Sequence, residues 1–289
     1  MRYPTNVDVF DLATLTKAFA ELDAIANTGV PWTALPGDGN GAMQRRFLRL
    51  YSSHLRAVKE LSGLRSLASG DADVLNQFLT DNGFTPMFRR LERGGVGAVA
   101  ILEMMLKWAA KASRSVITLT SDNRASYQAF SLLPDGFEVF DSDAGRLVRL
   151  LAQDGSSVWL LIADRPGNCL DMVDVAMRSM RLRRRSTEFF PSVEVPCVDI
   201  DKALQLPWML GMRSGDHVID QAFQIFKLTM DEVGAEVRVA SGLATTRGGG
   251  PRPLPLRIDR PFIGWFTQRG SEFPIATFYA GLNAWRPFF

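Results

Sequence analysis

Apolar residues recur at helical spacing over residues 8–27, where Leu12, Leu15, Phe19 and Leu22 fall on one face and predict an amphipathic helix. Asn27–Ala42 is rich in Gly and Pro and predicts an irregular connection. Order resumes at Phe47, Leu50 and Tyr51. Asp73 is positioned to cap a helix carrying Leu75, Phe78 and Leu79, which Asn82-Gly83 would end. The stretch Val96–Trp108 is largely apolar. It reads equally as a buried strand or a buried helix, because such a run has no period to separate the two.

The second half of the chain changes period. Arg146–Leu151 and Ser157–Ile162 are apolar runs flanking Gln153-Asp154-Gly155-Ser156, a hairpin signal, because Asp-Gly supplies the positive φ of a tight turn. Asp171–Met180 predicts a helix, and Ser192–Ile200 alternates as a strand does. Ala222–Val233 predicts a long strand through Phe223, Ile225 and Leu228, and Arg257–Phe266 and Pro274–Ala280 are further β-rich runs. Between them, Thr245–Pro255 holds three glycines and three prolines, which exclude a regular central strand or helix there. Helices mixed with hairpins, without a regular βαβ alternation, predict an α+β fold.

The chain has 289 residues, 46% of them hydrophobic, enough to bury a large core. No apolar run reaches the ~18 residues a membrane span needs. The first residues lack the apolar stretch of a secretory leader, so a cytoplasmic location or one within an assembly is expected before a secreted one. A net charge of +2 makes nucleic acid an unexpected partner. Arg178, Arg181, Arg183, Arg184 and Arg185 crowd together all the same, as either a solvated helix end or a basic patch for a partner. Cys169 and Cys197 are the two cysteines; they could pair, and they lack the ligand spacing of a zinc site. The two histidines, His54 and His217, sit in no nucleophile motif, and Gly248-Gly249-Gly250 runs into Pro251 rather than the Lys-Ser of a phosphate-binding loop. No enzyme, cofactor or metal centre is expected.

One stretch speaks more specifically. Ile219–Gly242 carries an alternating strand, then Asp231, Glu232, Gly234, Ala235 and Glu236. Downstream come Asp259-Arg260-Pro261-Phe262, then Phe278-Tyr279-Ala280-Gly281 and Pro287. Upstream, in order, come Leu75-Asn76-Gln77-Phe78 with Gly83, Val99–Trp108, Leu147–Ile162, Val193–Val198 and Leu204–Met212. In order and spacing these pieces resemble the serpin family over residues 70–289. Ile219–Gly242 is similar to the segment leading into the family's reactive-centre loop, with Val233 inserted and Ala235 in the place of a Thr. Residues 1–70 match poorly, the chain is shorter than a usual serpin, and Val237-Arg238-Val239-Ala240 stands where the family has a run of alanines.

The resemblance implies one serpin-like domain over 1–289, with a divergent helical part at 1–70, a core at 70–289 and a loop-like segment at 234–257. It implies a large mixed central β-sheet, smaller sheets, and reduced N-terminal helices. It also implies inhibition of a serine protease by loop insertion: the cut loop enters the central sheet as a new strand. The hinge residues would be Glu232, Gly234, Ala235, Glu236, Val237 and Val239, and the bait bond Arg247-Gly248, which suits a trypsin-like partner. Ala235, Val237, Val239 and Ser241 share one face of such a strand, and Glu236, Arg238 and Ala240 the other. An ordinary edge strand would alternate in the same way, and an exposed loop of this Arg-rich chain could hold Arg247 incidentally. The alternative is a non-inhibitory binding or structural protein of this fold, viral or part of an assembly, with self-association or other protein subunits as partners.

Overall fold

Asp11 opens the first helix: its backbone is extended (φ −95°, ψ 99°) and its carboxylate accepts the Thr14 N–H at 2.9 Å. The helix buries Leu12, Leu15 and Phe19 and ends at Asn27 in the left-handed region (φ 41°), as its apolar spacing predicts. A computed structural model describes residues 9–119, 125–234 and 254–288. In chain order these form β1 (Val9–Asp11), α1 (Leu12–Ala26), α2 (Asn40–Lys59), β2 (Leu64–Ser69), α3 (Ala72–Asp81), β3 (Gly97–Leu102) and β4 (Ser113–Thr118). Then follow β5 (Ser126–Leu132), β6 (Phe137–Ser142), β7 (Gly145–Leu151), β8 (Ser157–Ile162), α4 (Cys169–Leu182), β9 (Arg184–Arg185), β10 (Val193–Pro196) and β11 (Val198–Gln205). The last strands are β12 (Arg213–Ser214), β13 (His217–Val218), β14 (Phe223–Met230), β15 (Leu256–Arg257), β16 (Phe262–Thr267) and β17 (Ala276–Ala280). The chain is α+β.

The described residues divide into two compact units. The first holds 9–104, 167–171 and 201–226. Its aromatic centre is Phe19, Phe47 and Trp208, with Phe47 lying 5.2 Å from Phe19 and 5.8 Å from Trp208, ring centre to ring centre. The buried Gln44 amide donates to the Trp208 and Leu210 carbonyls at 2.9 and 3.0 Å and accepts from the Leu35 N–H at 2.7 Å, so no polar atom of its head is left without a partner. Helix α3 is capped by Asp71, whose carboxylate accepts the Asp73 N–H; the cap lies two residues earlier than the sequence suggests. The Val96–Trp108 ambiguity resolves as strand over Gly97–Leu102 only: β3 pairs antiparallel with β2 from Leu64↔Leu102 to Ser69↔Gly97, and Glu103–Lys107 is irregular. Gly97 lets Leu75 pack close to this strand: a Cβ there would stand 2.5 Å from Leu75 Cδ1, and the leucine would have to shift.

The second unit holds the remaining described residues. Its main sheet runs in the order β17-β16-β8-β7-β6-β9, and each neighbouring pair is antiparallel. The hairpin between β7 and β8 turns at Gly155 (φ 85°), as its Asp-Gly predicts. Trp159 and Trp265 are directly paired across β8 and β16, with rings 6.2 Å apart and 3° from parallel. Gly264 makes room for Phe278: a Cβ on it would stand 2.2 Å from that ring. A second sheet runs β15-β10-β5-β4, and there β10 and β15 are parallel. The strand expected over Ser192–Ile200 is two strands, broken at Cys197 after Pro196.

Candidate functional site

Residues on β3 and β14 share one hydrophobic cluster in the first unit. Val99 and Ile101 are buried with Leu75 and Leu79 of α3, and Phe223 and Ile225 pack against them. The backbones do not follow suit. β3 is hydrogen-bonded to β2 and β14 to β11, and among the described residues no ladder joins β3 to β14. A cavity of about 130 Å3 opens between Ala98–Leu102, Gln221–Ile225 and the Leu15, Phe19 and Leu22 side of α1. β3 and β14 thus lie in two separate ladders, with this slot lined by both.

Asp11 and Gln224 meet at the wall of this slot. Gln224 Nε2 donates to the Asp11 carbonyl at 2.5 Å, and the Asp11 N–H donates to Gln224 Oε1 at 3.3 Å. Burial pushes the Asp11 carboxyl up to about 6, although its N-terminal capping bonds act the other way. Neither residue announces itself in the sequence; an Asp just before an apolar-periodic run was the available signal.

β14 leads into the hinge, which belongs to the second unit. Residues 231–234 make a tight turn: the Asp231 carboxylate accepts the Val233 N–H at 2.9 Å, and the Gly234 N–H donates to the Asp231 carbonyl at 3.2 Å. Trp108 Nε1 donates to the same carbonyl at 2.8 Å, and its ring stacks on Phe130. Gly234 has φ +93°, and a Cβ there would stand 2.3 Å from the Leu106 carbonyl oxygen. Glycine is therefore required on two grounds, conformation and space.

Charge surrounds the turn. Arg114 Nε donates to Glu232 Oε1 at 2.5 Å, and Arg286 forks onto Asp199 at 2.8 and 2.9 Å. Burial works to raise the Glu232 carboxyl, but Arg114, its own N–H and Arg286 outweigh this and hold it below the usual range. The Arg286 hydrogen bond likewise lowers Asp199. Cys197 lies beside these groups, and burial pushes its thiol up to about 12, so it is neutral and unreactive. Cys169 is pushed up to about 12 for the same reason, and both cysteines are free.

Of the residues singled out in the sequence, Glu232 and Gly234 come together at this turn. Ala235, Glu236, Val237, Val239, Arg247 and Gly248 lie outside the described residues, as does most of the segment 234–257. The arginine run divides. Arg183 is turned onto its own unit, over the Phe140 and Trp159 rings at 5.7 and 5.4 Å and bonded to Glu272. Arg181, Arg184 and Arg185 are exposed, with Arg185 3.8 Å from Glu138. His54 meets the Leu50 carbonyl of its own helix, and His217 sits in the short β12–β13 hairpin. Among the described residues no cluster of three or more His, Cys, Asp or Glu could hold a metal, and no helix is long and apolar enough to cross a membrane.

Solved structures match this architecture along nearly its whole length. Serpin48 of the insect Tenebrio molitor, a highly specific serpin, superposes with a TM-score of 0.59 at 12% identity, covering 94% of this chain and 90% of that one. The mouse protein-Z dependent protease inhibitor gives 0.57 at 12% identity over 97% and 91%. The thyroxine-binding globulin complex with thyroxine gives 0.54 at 11% over 94% and 90%. The chain has the serpin fold. No family model and no curated protein matches the sequence. The likeness is therefore one of fold, at 11–12% sequence identity. The hairpin β7–β8 and strands β10, β11, β14, β16 and β17 stand where the serpin-like order of the sequence puts them.

Proposed function

We propose that this serpin-fold chain inhibits a trypsin-like serine protease through the segment 234–257, and that after cleavage the residues following Gly234 enter between β3 and β14. The observation that carries this reading is the slot itself. Two strands packed through side chains, with no ladder joining them among the described residues, leave a place where a further strand could pair by its backbone. β14 runs straight into the Gly234 turn, so a strand turning back there reaches the level of Ile225 after about nine residues at ~3.3 Å each. That span takes in Ala235, Val237 and Val239, small and β-branched residues for the packed side. It also takes in Arg238, which must face outward, since burying it unpaired would cost several kcal/mol.

Incubation with trypsin tests the reading. The expected product is an SDS-resistant complex in which the protease serine is esterified to the Arg247 carbonyl and Gly248 carries the new amino terminus. Release of nicked chain with the protease fully active would overturn it. The Val237-Arg238-Val239 sequence favours a second reading, a non-inhibitory binding protein of this fold. It expects plain nicking with no complex.

A further inference from the structure

We propose that the C-terminal segment is a strap that holds the loop hinge shut, with Arg286 as the positioning residue. Only its consequence for loop entry rests on the function proposed above; the strap itself rests on geometry within the second unit. The tail is woven in by its backbone. The Arg286 N–H donates to the Cys197 carbonyl and its own carbonyl accepts the Gln128 N–H, both at 2.9 Å, while the Phe288 N–H donates to Ser126 at 3.0 Å. Trp285 is buried and meets Tyr127 edge-on at 5.2 Å. The Arg286 side chain is thereby launched from a fixed point.

Its guanidinium fills two duties. Nε and Nη2 form a parallel fork on the two Asp199 oxygens, and this leaves Nη1 3.6 Å from Asp231 Oδ2. The other Asp231 oxygen accepts the Val233 N–H. One planar cation therefore ties the start of β11 to the first residue of the hinge turn. Asp199, Asp231 and Glu232 would otherwise repel one another, and Arg114 answers only Glu232 directly. An ammonium cannot reproduce a fork of this kind. Releasing the strap would free the Val233 and Gly234 amides to open, the movement that entry of the following residues requires.

Amide hydrogen exchange on the full chain tests the strap without any protease. In Arg286→Gln the Val233 and Gly234 amides should exchange about tenfold faster, the equivalent of ~1.4 kcal/mol, with the β7–β8 amides and Gln128 unchanged. Arg286→Lys should restore only part of the protection. Asp199→Asn should loosen the same two amides, and the double variant should be no faster than Arg286→Gln alone, because the pair acts as a unit. Unchanged hinge amides in Arg286→Gln would overturn the strap. So would acceleration matched by the β7–β8 amides, which marks general loosening. A chain that shows the hinge effect yet forms no complex with trypsin would refute the inhibitory function and leave the strap standing.

Discussion

β8 and β16 face each other along six directly paired residues, from Phe262↔Ile162 to Thr267↔Ser157. β3 and β14 also share a packed hydrophobic cluster, yet among the described residues they share no ladder. Both pairs of strands are held by apolar side chains. In the first, backbone hydrogen bonds fix the spacing, and the Trp159–Trp265 stack and the Gly264–Phe278 fit lock the register. In the second, only non-directional packing spans the interval, and a cavity remains. Hydrophobic burial sets how strongly two strands attract each other, while the ladder sets whether a third can come between.

The contrast should be plainest in large-to-small substitutions. Trp265→Ala should lower the unfolding free energy by about 4 kcal/mol in urea titration, as for a fully buried aromatic. Phe223→Ala, at the half-open wall of the slot, should cost about 1–2 kcal/mol. Equal losses would mean the slot is as tightly packed as the main sheet. Next in size, Gly234→Ala should cost about 2 kcal/mol, from a strained positive φ and a clash with the Leu106 carbonyl. The same measurement on Gly270→Ala, also at positive φ but with nothing near its missing Cβ, separates the clash from the strain.

Asp11 gives a pH-dependent test of the slot wall. Its carboxyl is raised from 3.8 to about 6 in the folded chain, so below pH ~3 it is protonated in both states and contributes no difference. As pH rises from about 4 to 6 the unfolded chain gives up the proton first, and stability falls; above 6 the penalty is complete. Asp11→Asn keeps a good helix cap and should therefore gain roughly 1–2 kcal/mol at pH 7.5 and almost nothing at pH 3. Chemical denaturation at the two pH values would show it, and a flat difference would contradict burial of the carboxylate. The smallest effect expected is from Ala100→Leu, which partly fills the cavity and should add about 0.5–1 kcal/mol of stability, while slowing any entry of a new strand.

Much of this fold was legible because its signals are local. Leu12, Leu15 and Phe19 announce α1, and Asp154-Gly155 announces the β7–β8 turn, through spacing and backbone preference alone. Asp71, not Asp73, caps α3, because either Asp satisfies the cap preference and only the extended backbone at 71 selects between them. The Val96–Trp108 run could not be assigned without its partner, since pairing with β2 is what makes its Gly97–Leu102 part a strand. At the site, Gly234 was readable as a glycine after an acidic pair at a strand end. Arg286 with Asp199, 87 residues apart, and Gln224 with Asp11, 213 apart, were not. Contacts of that range leave no periodic trace; they are products of the topology. The residues proposed for the loop beyond Gly234 lie outside the described structure.

The most direct test is to cut the chain once within Thr246–Gly249 by limited proteolysis and melt it before and after. If the freed segment takes its place between β3 and β14, the nicked protein should melt roughly 10 °C or more above the intact one, at about 2–4 °C for each kcal/mol in a domain of this size. An unchanged or lowered melting temperature would contradict the central claim that the slot is a vacant strand position.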